Sequence, residues 1–284
     1  MASGPPLGQV VPLTIRRFGP PGAFLVAEGA SPTAPTILLP GAEIPDDARE
    51  GDVLSVFVYL DSEDRPVATV RDPKLVLGEV AFLTVTTTAK FGAFVDWGLP
   101  KELLVPFAEQ TRELHVGDRH PVGLYLDDTG RLAGTMRVTE MLGEVGSFAQ
   151  DEWVAGEAWR SDPERGVFVI VEQRFTGLLP SSEPNTLGRG DGARFRVSNI
   201  LPDGKIELSL RGPAHTELAS DAEHVLTVLL QPGTPRTGDR SDPEQIREVF
   251  GLSKKAWKRA AGRLLRLGKA HIDEGGFLQP RRRP

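Results

Sequence analysis

The chain has 284 residues and no cysteine, so neither a disulfide nor a cysteine-ligated zinc can hold any part of it together. It has no run of about 18 apolar residues, and its start, Met1-Ala2-Ser3-Gly4-Pro5-Pro6, carries neither a basic cluster nor an apolar stretch. A soluble, cytoplasmic protein without a membrane partner is expected. Catalytic signatures are lacking too: there is no nucleophile elbow, no glycine-rich phosphate loop and no His-Glu-x-x-His run. His115 and His120 are five apart around Gly117-Asp118, the wrong spacing for a helical metal pair, and read as loop histidines without function. No enzymatic activity, metal or cofactor is expected.

An overall positive charge is also missing. The net charge of −6 weighs against a polyanionic partner, but its distribution does not. Residues 241–284 carry 11 basic and 5 acidic side chains, whereas 1–240 sum to −12. A basic end on an acidic body often marks a segment that faces nucleic acid.

What the chain does have is internal repetition, centred on Lys90-Phe91-Gly92-Ala93-Phe94-Val95-Asp96. Related stretches are Pro21-Gly22-Ala23-Phe24-Leu25-Val26 and Arg165-Gly166-Val167-Phe168-Val169-Ile170, so the glycines are 70 and 74 residues apart. Each leads to an apolar pair ending in proline (Pro40, Pro106, Pro180) and then to a Gly-Asp pair (Gly51-Asp52, Gly117-Asp118, Gly190-Asp191). Alternating apolar and polar residues follow and break at Asp/Gly turns, the mark of hairpins. Short strands in units of this length fit small closed barrels. The expected modules are residues 1–73, 74–140 and 141–212, the first of them degenerate.

Along a regular strand Phe91 and Phe94 would face opposite sides. A bend or bulge at Gly92 is expected to bring both rings to one face, beside Lys90, as a stacking platform for unpaired bases. Phe107 joins this set, and Arg131 and Arg137 are expected to border it. The first repeat reads as structural. In the third, Arg165 and Phe168 are the secondary site, since arginine both stacks on bases and pairs with phosphate. Trp153 and Trp159 read as core or packing between modules.

Beyond residue 213 alternation gives way to helical spacing, predicting a fourth module over 213–284. Ser220-Asp221-Ala222-Glu223 reads as a capping box opening one helix that Pro232-Gly233 stops, and Ser241-Asp242-Pro243-Glu244 as a second. Ser253 caps a third, with Trp257, Ala261, Leu264 and Leu265 as its buried stripe. Lys255, Arg259, Arg263 and Arg266 form a basic stripe with Lys254 and Lys258 nearby. A hairpin around Glu274-Gly275-Gly276 completes a winged helix whose third helix would meet nucleic acid.

The repeats resemble the S1 RNA-binding domain, an OB-type five-stranded barrel, through Lys90-Phe91-Gly92-Ala93-Phe94-Val95, Leu104-Val105-Pro106 and Gly117-Asp118. That family commonly has a histidine where Pro106 stands, and Phe107 is the residue placed to compensate. The order of three such barrels and a winged helix resembles the conserved virulence factor B family of bacterial RNA-binding proteins. The closer match lies in Phe91-Gly92-Ala93-Phe94-Val95-Asp96-Trp97-Gly98-Leu99, Leu104-Val105-Pro106-Phe107-Ala108-Glu109-Gln110 and Ser253-Lys254-Lys255-Ala256-Trp257-Lys258-Arg259-Ala260. The resemblance implies a mainly β chain with a C-terminal α+β domain. It also implies RNA binding in post-transcriptional control, while the stacking rings point to single-stranded RNA as partner and the basic stripe of the winged helix to a second contact, on duplex nucleic acid or RNA. A DNA-binding regulator acting through that helix and a non-catalytic docking scaffold are the alternatives.

Overall fold

The computed structural model describes residues 5–212, 214–231 and 233–281, and the chain divides into two compact units, residues 1–210 and 211–284. The first unit contains the three repeats. β1 (Val10–Gly19), β2 (Gly22–Val26), β3 (Ile37–Pro40), β4 (Val53–Leu60) and β5 (Pro66–Thr69) close into a barrel in the order β1-β2-β3-β5-β4. β6 (Val80–Ala89), β7 (Gly92–Asp96), β8 (Leu103–Pro106), β9 (Arg119–Leu126) and β10 (Leu132–Thr135) repeat the order. Here β8 and β10 lie side by side without ladder hydrogen bonds. β11 (Trp153–Asp162), β12 (Gly166–Val171), β13 (Phe175–Pro180), β14 (Gly192–Ile200) and β15 (Ile206–Ser209) close the third barrel. The mainly β architecture of three five-stranded barrels read from the repeats is the one observed.

Alternation supplies the cores. Leu13, Ile15, Val56 and Val58 point into the first barrel, and Phe195, Val197 and Leu208 into the third, all at most 4% exposed. Two further clusters join the barrels. Phe57 and Tyr59 of the first pack on Trp97 of the second, with ring centroids 5.7 and 6.3 Å from the indole. Val80, Phe82 and Val138 of the second pack on Ile170 of the third, with Trp159 half-buried beside them. Trp159 thus packs between modules as expected, whereas Trp153 is exposed on the first strand of its barrel.

A latch recurs in every barrel. A glutamate three residues after the landmark proline accepts a hydrogen bond from a hydroxyl at the end of the fifth strand. Thr69 donates to Glu43, Thr135 Oγ1 to Glu109 Oε2 at 2.5 Å and Ser209 Oγ to Glu183 Oε1 at 3.0 Å. Each hydroxyl residue is buried, so the bond satisfies groups that would otherwise be desolvated without a partner. In the middle barrel the Arg137 amide donates to Thr135 Oγ1 at 3.0 Å. Thr135→Val removes both bonds while keeping the shape. It is expected to lower stability by about 1–3 kcal/mol in urea unfolding, and an unchanged midpoint would mean that the latch is not needed.

The second unit holds α1 (Ala214–Leu229), α2 (Pro243–Phe250), α3 (Lys254–Arg266) and the antiparallel pair β16 (Ala270–Ile272) and β17 (Leu278–Pro280). This is the expected winged helix, with three corrections. α1 begins six residues before Ser220, because the sequence from 214 to 219 contains no helix breaker and continues the same helix. Pro232 lies outside the described residues. The cap of α2 is Asp242, whose carboxylate accepts from the Glu244 amide at 2.8 Å, with Pro243 in the first turn, while Ser241 Oγ accepts from the Gly238 amide. Ser253 caps α3 as read, accepting from the Ala256 amide at 3.2 Å. Trp257, Ala260, Ala261 and Leu264 are buried, but Leu265, one residue past the core-facing side, is 39% exposed.

Candidate nucleic-acid interface

Lys90 and Phe91 form the two-residue turn of the β6–β7 hairpin, in which Ala89 pairs with Gly92. The two phenylalanines do reach one face, but not through a slip at Gly92. The turn lifts Phe91 off the strand, and the bulge lies in the partner strand, between Val85 and Thr87. Gly92 serves close approach instead: a Cβ there would sit 2.4 Å from the Val105 carbonyl oxygen on β8. Gly22 and Gly166 meet the Leu39 and Leu179 carbonyls in the same way.

Phe91 is 58% exposed and meets the half-buried Phe94 edge to face, with centroids 5.9 Å apart. Phe107 follows β8 and is 57% exposed, and its amide donates to the Phe91 carbonyl at 3.2 Å. Three rings therefore share one end of the middle barrel, and Lys90 beside them is exposed, with no ion pair among the described residues. The strand registers place Pro21 and Gly41 of the first barrel, and Arg165 and Ser181 of the third, where Phe91 and Phe107 stand.

The Phe94 position is aromatic in all three, yet its surroundings differ. The Arg17 guanidinium lies 3.8 Å from the Phe24 centroid and that of Arg160 lies 4.3 Å from the Phe168 centroid. In the middle barrel the residue opposite Phe94 on the first strand is Thr87, so no guanidinium covers the ring. A face already stacked by arginine is less open to a base. Arg165 and Phe168 thus occupy the equivalent place in the third barrel, where Phe168 is the capped ring.

The remaining candidates divide. Arg131 is ion-paired with Asp64 of the first barrel. Arg137 donates to the Ala108 carbonyl at 2.9 Å and so holds the turn that carries Phe107. Both act as braces. On α3, Lys254 Nζ is turned to the Ser241 carbonyl at 2.7 Å and Lys258 pairs with Asp239 at 2.6 Å. Lys255, Arg259 and Arg266 are exposed, Arg263 is half-buried, and none of these four has an ion pair among the described residues.

The sequence reading missed Arg112 and Arg189, which stand near the seam of the second and third barrels. Arg189 lies 3.4 Å from Nδ1 of His120. His120 is not in a loop; it is the second residue of β9 and is 6% exposed. Burial first, and then the charge of Arg189, hold its imidazole below its ordinary pKa, against the opposing pull of Asp118. The folded form therefore favours the neutral ring while the unfolded chain protonates normally. The resulting stability is complete above the unfolded pKa of roughly 6.5 and declines as pH falls through it. His120→Gln is expected to flatten the fall in melting temperature between about pH 7.5 and 5. An equally steep fall in the variant would place its source elsewhere.

Comparison with known proteins gives two family matches, to the S1 domain over residues 7–71 and 77–137 and to the CvfB-like winged helix domain over 223–277. The chain is 30% identical over 253 residues to the uncharacterized protein YitL of Bacillus subtilis, covering 84% of each. It is 30% identical over 241 residues to conserved virulence factor B of Staphylococcus epidermidis, covering 81% of this chain and 80% of that one. A solved multidomain protein with nucleic acid binding domains from Streptococcus pneumoniae is 24% identical, with 97% and 98% coverage and a TM-score of 0.41. With both module types matched in order and bacterial relatives aligned over more than four-fifths of its length, the chain belongs to the conserved virulence factor B family.

Proposed function

We propose that this protein is a non-catalytic, cytoplasmic RNA-binding regulator of gene expression that holds single-stranded RNA on the middle barrel. The observation that carries this reading is the contrast between Phe94, uncapped and flanked by the exposed Phe91 and Phe107, and the arginine-capped Phe24 and Phe168. Open rings recognise bases only when those bases are unstacked, which a duplex does not offer. Lys90 supplies a cation at the platform, and residues 74–140 are the working module. The exposed Lys255, Arg259 and Arg266 support an accessory role for the winged helix, on RNA or duplex, through phosphate contacts.

Competition tests the choice of ligand. Unlabelled single-stranded RNA is expected to displace a labelled RNA oligomer from the full chain at concentrations where duplex DNA does not. Stronger displacement by the duplex would instead make the winged helix the principal site. Absence of any salt-dependent binding would favour a protein-docking scaffold.

A further inference from the structure

The aromatic platform has two grooves beside it, and they differ in whether their cations are already engaged. One runs from Phe94 toward the first barrel and is lined by Tyr59, Lys101, Glu102, Asp127 and Arg131. Its cations are already engaged: Arg131 is paired with Asp64, and Lys101 Nζ lies 2.7 Å from the Asp61 carbonyl and 3.1 Å from that of Leu60. A phosphate entering there meets carboxylates and no available positive charge.

The other groove starts at Phe107 and is floored by Thr88, Gly92 and Ala93, with Arg112, Glu113 and His115 on its wall. Arg112 is exposed and has no ion pair among the described residues. It is close enough to act electrostatically on both His120 and Arg189 across the seam to the third barrel. Two arginines meet at that seam around the buried Phe82 ring, with guanidinium carbons 5.3 Å (Arg119) and 5.5 Å (Arg189) from its centroid. They are used differently. Arg119 is neutralised by Glu157 at 2.7 Å and donates to the Gly190 carbonyl at 2.7 Å. Arg189 has only the His120 ring as a polar neighbour and no carboxylate among the described residues. Arg112 lies on a groove that begins at the base platform and acts repulsively on Arg189 beyond it, and neither guanidinium has an ion pair among the described residues. A phosphodiester is the anion that suits both the charge and the path.

We propose that a single RNA strand stacked on Phe91 and Phe107 continues along the Arg112 groove to a phosphate subsite formed by Arg112 and Arg189, crossing from the second to the third barrel and not toward the first. This rests on the single-stranded RNA reading and adds a direction and a second contact region to it. On site sizes of about 4–16 nucleotides per OB fold, a strand of about four nucleotides would occupy the platform alone, while one of about twelve would also reach the subsite.

Anisotropy titrations of the full chain with labelled oligouridylates of these two lengths, each over a salt series, test it. Arg112→Ala with Arg189→Ala is expected to weaken the longer oligomer roughly tenfold at low salt. It should also lower the salt slope by about 1.4, two phosphates at about 0.7 each, and leave the shorter oligomer unchanged. The corresponding double lysine variant should keep the slope, and Arg131→Ala should behave as wild type. Because Arg189 packs on Phe82, Arg112→Ala alone provides a check at an exposed position, with an expected slope change of about 0.7. An unchanged slope for the longer oligomer in these variants, with Phe91→Ala and Phe107→Ala still weakening it, would overturn the subsite and leave the RNA platform standing. A loss in Arg131→Ala equal to that in Arg112→Ala would send the strand the other way. Failure of the wild-type chain to bind either oligomer would overturn the platform itself, and the subsite with it.

Discussion

Replacing Phe91 and Phe107 together by alanine is expected to weaken binding of single-stranded RNA by about 2–6 kcal/mol, from about 1–3 kcal/mol for each stacked base. Both rings are more than half exposed, so their removal takes little apolar area from the core and should leave the melting temperature near that of wild type. Phe94 is less suitable for the test, because it is half-buried against the strands that carry it. Anisotropy with one labelled RNA and a thermal melt of the same sample separate affinity from folding. A folded double variant with wild-type affinity would remove the platform from the account. Phe24→Ala and Phe168→Ala serve as controls: both rings are capped by arginine, and each change is expected to cost less than the loss of either open ring.

The second large effect concerns the joint between the first two barrels. Trp97→Ala is expected to destabilise the protein by about 3–5 kcal/mol, because the indole is 2% exposed and its removal leaves a cavity between Phe57 and Tyr59 on one side and the middle core on the other. The indole N–H also donates to the Lys101 carbonyl, which would lose a buried partner. Urea unfolding should show a clearly lower midpoint in the alanine variant and a smaller loss in Trp97→Phe, which keeps most of the ring. A midpoint unchanged in Trp97→Ala would mean that the aromatic contact contributes little to joining the barrels.

The repeat pattern was legible because the same backbone demands recur in each copy. A glycine must let β7 approach β8, a proline ends the third strand, and a Gly-Asp turn precedes the fourth, so these residue types return in order. Side-chain roles that depend on the neighbouring strand were harder to read. Arg17 and Thr87 look alike as polar residues on a solvated edge, and only the register shows that one covers a ring which the other leaves open. The latch did leave a signal: Pro40, Pro106 and Pro180 are each followed three residues later by glutamate, and a hydroxyl residue ends each fifth strand. Spacing of this kind becomes a contact only once the barrel brings the two ends together. The gathering of the three rings at one end of the barrel was legible, and the engagement of the charges around them was not. Arg131 and Arg137 have local partners, while Arg112 and Arg189, far apart in sequence, come within electrostatic range of each other across a seam.

The α1 start shows a different limit. Ser220 and Glu223 have the spacing of a capping box, but nothing before them interrupts the helix, so propensity carries it back to Ala214. Local motifs of this kind specify a boundary only where the preceding residues cannot themselves be helical.

The most direct measurement is zero-length photocrosslinking of a 4-thiouridine-containing single-stranded RNA to the full chain, with the crosslinked residues identified by mass spectrometry. Crosslinks are expected within residues 90–107, concentrated at Phe91, Phe94 and Phe107, and lost when Phe91 and Phe107 are replaced. Crosslinks confined to α3 and the β16–β17 hairpin, indifferent to those phenylalanines, would contradict that expectation.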